Sequence, residues 1–255
     1  MAPETLLNSP EARQAILRVR ATSGAPLVLG TLAEEFGVSV DTIRRDLLAL
    51  EAAGMVQRVR GGALPVMPVS DPMSTRIRTP SPAAERIAAA ALGLIEDGMV
   101  LMLDGGTTVA KLAATLPPLP RSLVVTPAPV VATATLAAGI ETLLIGGRLS
   151  AFGGIAVGQG TCEAISNVSV DVCFLGACGL DAAFGLSADD LDEAAVRRAM
   201  HGASRKTAVL TGEPKLGRRA RHRVLPCDAL DVLVTDAGGA KTAPLAETGL
   251  EIRHA

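Results

Sequence analysis

Two groups of residues in this chain have types and spacing that suit chemistry. In the first, Ser39 precedes Val40-Asp41-Thr42-Ile43-Arg44-Arg45, a serine placed to cap a helix that carries adjacent arginines near its start. An arginine there can fork onto O6 and N7 of a guanine or clamp a phosphate. Arg58 and Arg60, with the amides of Gly61 and Gly62, suit a DNA backbone or minor groove nearby. The second group is Asp104-Gly105-Gly106-Thr107-Thr108, lying between an apolar strand and a helix. Glycines admit close backbone approach, threonines add hydroxyl donors, and a helix N-terminus attracts anions, so a phosphate or polyol is the natural guest. Other strand ends supply Thr126, Gly146-Gly147-Arg148, Gly176 and Asp181, and Lys215 offers positive charge.

The elements that must position these residues fall into two blocks. Helices are expected over 13–20 (Ile16, Leu17, Val19), 31–36 and 40–53, with Ile43, Leu47 and Leu50 at helical spacing and Gly54 as the stop. Gly37 turns the second helix into the third. Val40, Asp41, Thr42, Arg44 and Arg45 then face a groove, while Ile43 and Leu47 point to the core. Residues 55–60 alternate as a strand does and meet a turn at Gly61-Gly62, which makes residues 1–63 a winged helix-turn-helix. Residues 64–82 hold Pro65, Pro68, Pro72, Pro80 and Pro82 and read as an extended, semi-rigid linker. Residues 83–255 read as an α/β domain. A helix over 84–96 closes at Asp97-Gly98, and a helix over 109–115 follows the glycine turn. Apolar runs at 99–103, 123–126, 142–145, 172–176, 207–210 and 232–235 alternate with helical stretches, the pattern of a largely parallel sheet covered on both faces. The fold class is therefore α/β, a small N-terminal winged helix-turn-helix joined to a larger α/β domain with a largely parallel sheet.

Composition excludes several classes. With no Trp or Tyr and 2% aromatic residues among 255, the chain lacks the rings on which single-stranded nucleic acid stacks. A net charge of -2 rules out a globally basic coat, and residues 1–63 contain seven arginines against seven acids. DNA affinity must then come from a few placed arginines and from pairing two heads. No apolar run spans a bilayer and no secretory leader is seen, so the expected compartment is the cytoplasm. Cys162, Cys173, Cys178 and Cys227 form no Cys-x-x-Cys pair, and His201 and His222 have no adjacent ligand set, so neither disulfide nor metal is expected. The run 212–219 echoes a phosphate-binding loop but lacks its Lys-Ser/Thr ending, which rejects nucleotide hydrolysis. Gly153-Gly154-Ile155-Ala156-Val157-Gly158 reads as a flexible loop beside the ligand rather than a dinucleotide fingerprint. Residues 205–223, with seven basic residues against Glu213, read chiefly as a solvated basic face.

The stretches Val38-Ser39-Val40-Asp41-Thr42-Ile43-Arg44-Arg45-Asp46-Leu47, Leu50-Glu51-Ala52-Ala53-Gly54 and Arg58-Val59-Arg60-Gly61-Gly62-Ala63 resemble the DeoR family of bacterial transcription regulators. Arg76, Leu103-Asp104-Gly105-Gly106-Thr107-Thr108, Gly146-Gly147, Asp171-Val172-Cys173-Phe174-Leu175-Gly176-Ala177 and Lys215 fall where that family's sensor has its motifs, so the resemblance covers nearly the whole chain. It implies a sensor related to sugar-phosphate isomerases of the ribose-5-phosphate type, a phosphorylated sugar as effector, and a homodimer or homotetramer on a double-stranded operator. One departure is Thr126-Pro127-Ala128, where the family commonly has Thr-Asn: proline supplies neither side-chain amide nor backbone N–H. The expected function is a ligand-responsive repressor of carbohydrate metabolism genes, with no catalytic residue and no cofactor. The competing reading is an isomerase with an appended DNA-binding domain, for which Asp104, Asp181, Glu193 or Lys215 would have to act as base. An architectural DNA binder would leave the glycine-rich strand ends unexplained.

Overall fold

Apolar side chains at i, i+4 and i+7 decide the smaller of two units. The computed structural model describes residues 9–22, 26–53, 55–65 and 71–255, and divides into Met1–Val69 and Ser70–Ala255. In the first unit α1 (Pro10–Thr22), β1 (Leu27–Val28), α2 (Leu29–Phe36), α3 (Val40–Ala52), β2 (Val56–Val59) and β3 (Gly62–Pro65) follow one another. Leu17 and Ala21 of α1, Leu32, Ala33 and Phe36 of α2, and Ile43, Leu47 and Leu50 of α3 close one core with Leu27, Val56 and Ala63. Gly37 ends α2 in the left-handed region (φ 63°), with its N–H on Ala33 and Glu34 carbonyls, a conformation that favours glycine. The strands pair antiparallel in the order β1-β3-β2. The two-residue turn Arg60-Gly61 uses φ 93° at Gly61, and a Cβ on Gly62 would lie 2.1 Å from the Leu27 carbonyl, so only glycine lets β1 approach β3 there. Gly54 lies outside the described residues. One buried ion pair, Arg13 Nε to Asp46 Oδ2 at 2.8 Å, ties α1 to α3.

The second unit opens with one helical turn, α4 (Met73–Arg76), and α5 (Pro82–Ala91), capped by Ser81. The chain continues as β4 (Val100–Leu103), α6 (Thr107–Thr115), β5 (Leu123–Thr126), α7 (Pro129–Ala137) and β6 (Glu141–Leu144). Next come β7 (Arg148–Leu149), β8 (Ala156–Val157), α8 (Gln159–Ser166), β9 (Val170–Gly176), β10 (Gly179–Asp181), β11 (Gly185–Ala188) and α9 (Leu191–Gly202). The last elements are β12 (Ser204–Leu210), β13 (His222–Leu225), β14 (Val232–Thr235), α10 (Gly239–Ala246) and β15 (Glu251–His254). Seven strands form a parallel sheet in the order β15-β14-β12-β9-β4-β5-β6. Its central strands are buried on both faces, as in Leu101-Met102-Leu103 and Cys173-Phe174-Leu175, which accounts for their uninterrupted apolar runs. The chain lays β5 and β6 outward on one side of β4, then returns to add β9, β12, β14 and β15 on the other. The order therefore reverses between β4 and β9, and the crevice beyond the carboxyl ends of those two strands is where such sheets receive ligands.

Three differences from the sequence reading have plain causes. The seventh strand, Glu251-Ile252-Arg253-His254, shows no apolar run because three of its four residues are Glu, Arg and His; it lies at one edge of the sheet, paired to β14 alone. The helix expected over 84–96 is shorter: it starts at Pro82, ends at Ala91 and passes into a tight turn, Leu92–Leu94. Residues 64–82 are not a uniform extended spacer. Pro65 completes β3, and Met73–Arg76 is helical, with Pro72 just ahead of it where its fixed φ is tolerated. Met73 is buried, its N–H bonded to the Ala151 carbonyl at 3.1 Å. Pro68 lies outside the described residues.

Candidate functional site

On the first unit, Ser39 accepts the Thr42 N–H at 3.2 Å and fixes the start of α3. Val40, Asp41, Arg44 and Arg45 are exposed on its first two turns, and Thr42 is partly exposed, while Ile43, Asp46 and Leu47 turn inward. The exposed arginines differ. Arg44 is ion-paired to Asp41, and Arg58 donates from Nε to Glu51 at 2.5 Å, which holds the Glu51 carboxyl below its usual range. Arg45 and Arg60 make no ion pair among the described residues, and both are exposed, as is Gly61 between the wing strands. Asp46, adjacent to these arginines in sequence, is a core anchor whose Oδ2 and main-chain carbonyl accept from Arg13 and Gln14.

On the second unit, the crevice between β4 and β9 is lined by Arg76, Gly105–Val109, Phe152, Gly153, Gly176–Cys178, Glu193, Arg197, Leu210 and Lys215. Three cations converge there from distant segments: Arg76 from α4, Arg197 from α9 and Lys215 from the turn after β12. Arg197 is 4% exposed and its Nε donates to Asp104 Oδ2 at 2.8 Å. Lys215 Nζ donates to the Ala177 carbonyl at 2.7 Å. Burial pushes Lys215 down to about 8, helped by the charges of Arg76, Arg197 and Arg218. Arg76 donates to the Asp71 and Phe152 carbonyls and lies 5.2 Å from the Phe152 ring centre. α6 begins at Thr107, so its first-turn amides have no partner within the helix and add positive potential. Between its walls the crevice has room for about one water molecule, some 20 Å³. A larger cleft of about 220 Å³ beside Ile77, Ala110 and Val130 is mostly apolar, and its one cation, Lys111, is paired with Glu85.

Gly105, Gly106, Thr107, Thr108, Gly176 and Lys215 are thus brought together; Asp104, Thr126, Gly146 and Gly147 do not line this crevice. Asp104 lies beneath it, fully buried, accepting from Arg197 and from the Gly176 N–H at 3.0 Å. Thr126 is also fully buried: its hydroxyl donates to the Leu103 carbonyl at 2.6 Å and accepts from the Ala128 N–H. Gly146 and Gly147 follow the edge strand β6, away from the β4–β9 reversal. The Gly146 carbonyl accepts from Thr161, and a Cβ on Gly147 would sit 2.1 Å from the Thr161 hydroxyl, so close packing against α8 accounts for that glycine. Even Gly105 has a packing reason, since its Cβ would meet Ile155 at 2.4 Å. Pro127 does not line the crevice; its carbonyl accepts from Ala156. Thr108 is not the helix cap, a position held by Gly106. The loop after Ser150 is pinned rather than loose: Gly153 N–H donates to Glu193 at 2.6 Å and Gly154 N–H to Ser150. Asp181 pairs with Arg219 outside the crevice.

The sequence does not mark Phe152, Cys178 or Arg197 as site residues. Arg197 carried a usable signal, because an arginine four residues after Glu193 on an amphipathic helix can place both charges on the inward face. The basic run 205–223 divides on inspection: Lys215 enters the crevice, Arg219 pairs with Asp181, and Arg205 lies against Asp171.

A DNA-reading head in one unit and a cation-lined crevice at a sheet reversal in the other define a two-part, ligand-responsive regulator. The chain matches the DeoR-like helix-turn-helix domain over residues 14–67 and the DeoR C terminal sensor domain over residues 82–237. The putative aga operon transcriptional repressor of Escherichia coli O157:H7 is 31% identical over 233 residues, covering 89% of this chain and 86% of that one. The glycerol-3-phosphate regulon repressor of Escherichia coli K12 is 33% identical over 208 residues, 81% and 82% of the two chains. A ribose-5-phosphate isomerase solved with phospho-erythronic acid aligns over 52% of each chain at 18% identity and a TM-score of 0.40, too distant to carry activity across. The chain belongs to the DeoR family: it is a DNA-binding transcriptional regulator, not an enzyme. No helix among the described residues is long and apolar enough to cross a membrane.

Proposed function

We propose that this chain is a repressor whose hold on its operator is controlled by a small phosphorylated sugar or polyol bound in the β4–β9 crevice. The observation that carries this reading is the convergence of Arg76, Arg197 and Lys215 on the N-terminus of α6. An anion entering there exchanges water for three cations and a helix dipole. The relatives' names, a glycerol-3-phosphate regulon repressor and an aga operon repressor, support a carbohydrate context.

Residues 1–63 read DNA in this proposal, through Ser39, Val40, Asp41, Thr42, Arg44, Arg45, Arg58, Arg60 and Gly61. Residues 83–255, with Arg76 of α4 from the same unit, sense the effector. Arg76 brings α4, the part of the second unit nearest the first in sequence, to the crevice wall. The regulator needs two arrangements, one with the crevice empty and one with it filled. Only a ligand that binds the two arrangements unequally can shift operator affinity. A neutral head needs a partner to bind tightly, so the acting species is a homodimer or homotetramer, working in the cytoplasm. The test is operator binding by the full chain with and without a panel of sugar phosphates, while the concentration of each compound is followed. Ligand-shifted affinity without consumption is expected. An operator affinity that no phosphorylated compound alters would overturn the proposal.

A further inference from the structure

One buried pair in the crevice has hydrogen-bonding capacity that phosphate alone does not use. α9 places Glu193 and Arg197 one turn apart on the crevice wall, 0% and 4% exposed. Glu193 Oε1 accepts from the Ser150 hydroxyl and from the Gly153 N–H, each at 2.6 Å. Glu193 Oε2 accepts no hydrogen bond, although Arg197 Nη2 lies 3.5 Å away. Arg197 Nε is committed to Asp104, and Nη1 has no partner. Glu193 Oε2, held only by this long ion pair, and Arg197 Nη1 thus each lack a hydrogen bond in the same wall. Buried polar atoms in that condition are costly, and they concentrate where function fills them. An approaching phosphate oxygen satisfies Arg197 but faces like charge at Glu193. A hydroxyl satisfies Glu193.

We propose that Glu193 determines specificity, its Oε2 accepting a hydrogen bond from a ligand hydroxyl while Arg197 Nη1 donates to another oxygen of the same ligand. The inference rests on the phosphorylated-ligand reading above and assigns recognition of the ligand's hydroxyl to Glu193. Discrimination of this kind exceeds what an apolar contact achieves, because the analogue without the hydroxyl leaves a buried carboxylate oxygen unpaired.

Calorimetry on the full-length protein decides the matter with matched probes: glycerol phosphate against propyl phosphate, glucose 6-phosphate against hexyl phosphate, and inorganic phosphate. Wild type is expected to bind at least one hydroxylated ester about tenfold or more tightly than its alkyl counterpart. In Glu193→Gln, which keeps an acceptor for Ser150 and Gly153 but loses the charge, the ratio should fall several-fold while alkyl phosphates bind as well or better. Parallel thermal unfolding shows whether the variant is folded, and the wild-type ratio stands by itself if it is not. Equal affinity for hydroxylated and alkyl esters, with both releasing operator, would sink this inference and leave the proposed function intact. A ratio unchanged in folded Glu193→Gln would also overturn it. Failure of every ester to bind would overturn both readings together.

Discussion

The two units use charge in opposite ways. The first puts Arg44, Arg45, Arg58 and Arg60 on an outer surface and keeps one ion pair, Arg13–Asp46, inside as a brace between helices. The second unit buries Arg197 and Asp104 and turns Lys215 inward, around a concave crevice. A DNA duplex is too large to enclose, so a reader must present exposed cations that displace counterions from phosphates. A small anion can be enclosed, and there desolvated charge acts at short range with little screening. Exposed cations can be removed with little cost to folding, whereas buried ones cannot.

The strongest way to break that contrast is to delete one partner from each buried pair. Arg197→Met leaves Asp104 buried with its Gly176 N–H bond and no counter-charge, and should cost about 3–5 kcal/mol. Arg13→Met should cost a similar amount, roughly 3–5 kcal/mol, in the first unit's own stability. Denaturant unfolding followed separately in the two units checks both. An Arg197→Met variant as stable as wild type would show that the Asp104 network is not structural.

On the outer surface the expected effect is smaller and falls on binding alone. Arg45→Ala should weaken operator binding by about 1–3 kcal/mol, with unchanged unfolding and unchanged effector affinity. Arg44→Ala should cost less than Arg45→Ala, because Arg44 must first leave Asp41 to reach DNA. Fluorescence anisotropy on a labelled operator ranks the two. Equal losses would mean that the Asp41 pair does not compete with DNA.

What the sequence disclosed follows the same division. The reading head was legible because its signals are local: Ser39 beside its helix, Gly37 in the turn, Ile43, Leu47 and Leu50 at helical spacing. Its exposed arginines sit on the elements that present them. Six of the seven strands of the large sheet were visible as apolar runs, and the charged edge strand β15 was not. The crevice was legible only where one segment supplied it, at Gly105-Gly106-Thr107-Thr108. Arg197 and Phe152 come from α9 and from the loop after Ser150, and nothing local links them to Asp104. Thr126, Gly146 and Gly147 read as ligand residues only because strand ends are good places for one. Strand ends are equivalent in sequence, yet the reversal between β4 and β9 favours only two of them, and reversal is a property of strand order.

The smallest effect on binding offers the sharpest test, because it has a sign that exposed arginines cannot imitate. An arginine does not lose its proton in any ordinary pH range. Lys215 does: burial brings it from its ordinary 10.5 to about 8. Folding therefore strips a proton from Lys215 above about pH 8, and the unliganded protein should gain stability as pH rises from about 8 to 10.5. A bound phosphate stabilises the ammonium and raises its pKa, so effector binding takes up a proton. Affinity for effector should then fall as pH climbs, by about twofold between pH 7 and pH 8, the opposite trend to stability. Calorimetry at pH 8 in two buffers of unequal ionisation enthalpy should register uptake of roughly half a proton, and Lys215→Arg should abolish it. Uptake that persists in Lys215→Arg would place the titrating group elsewhere, and the lysine would then be a structural donor to Ala177 rather than part of the anion site.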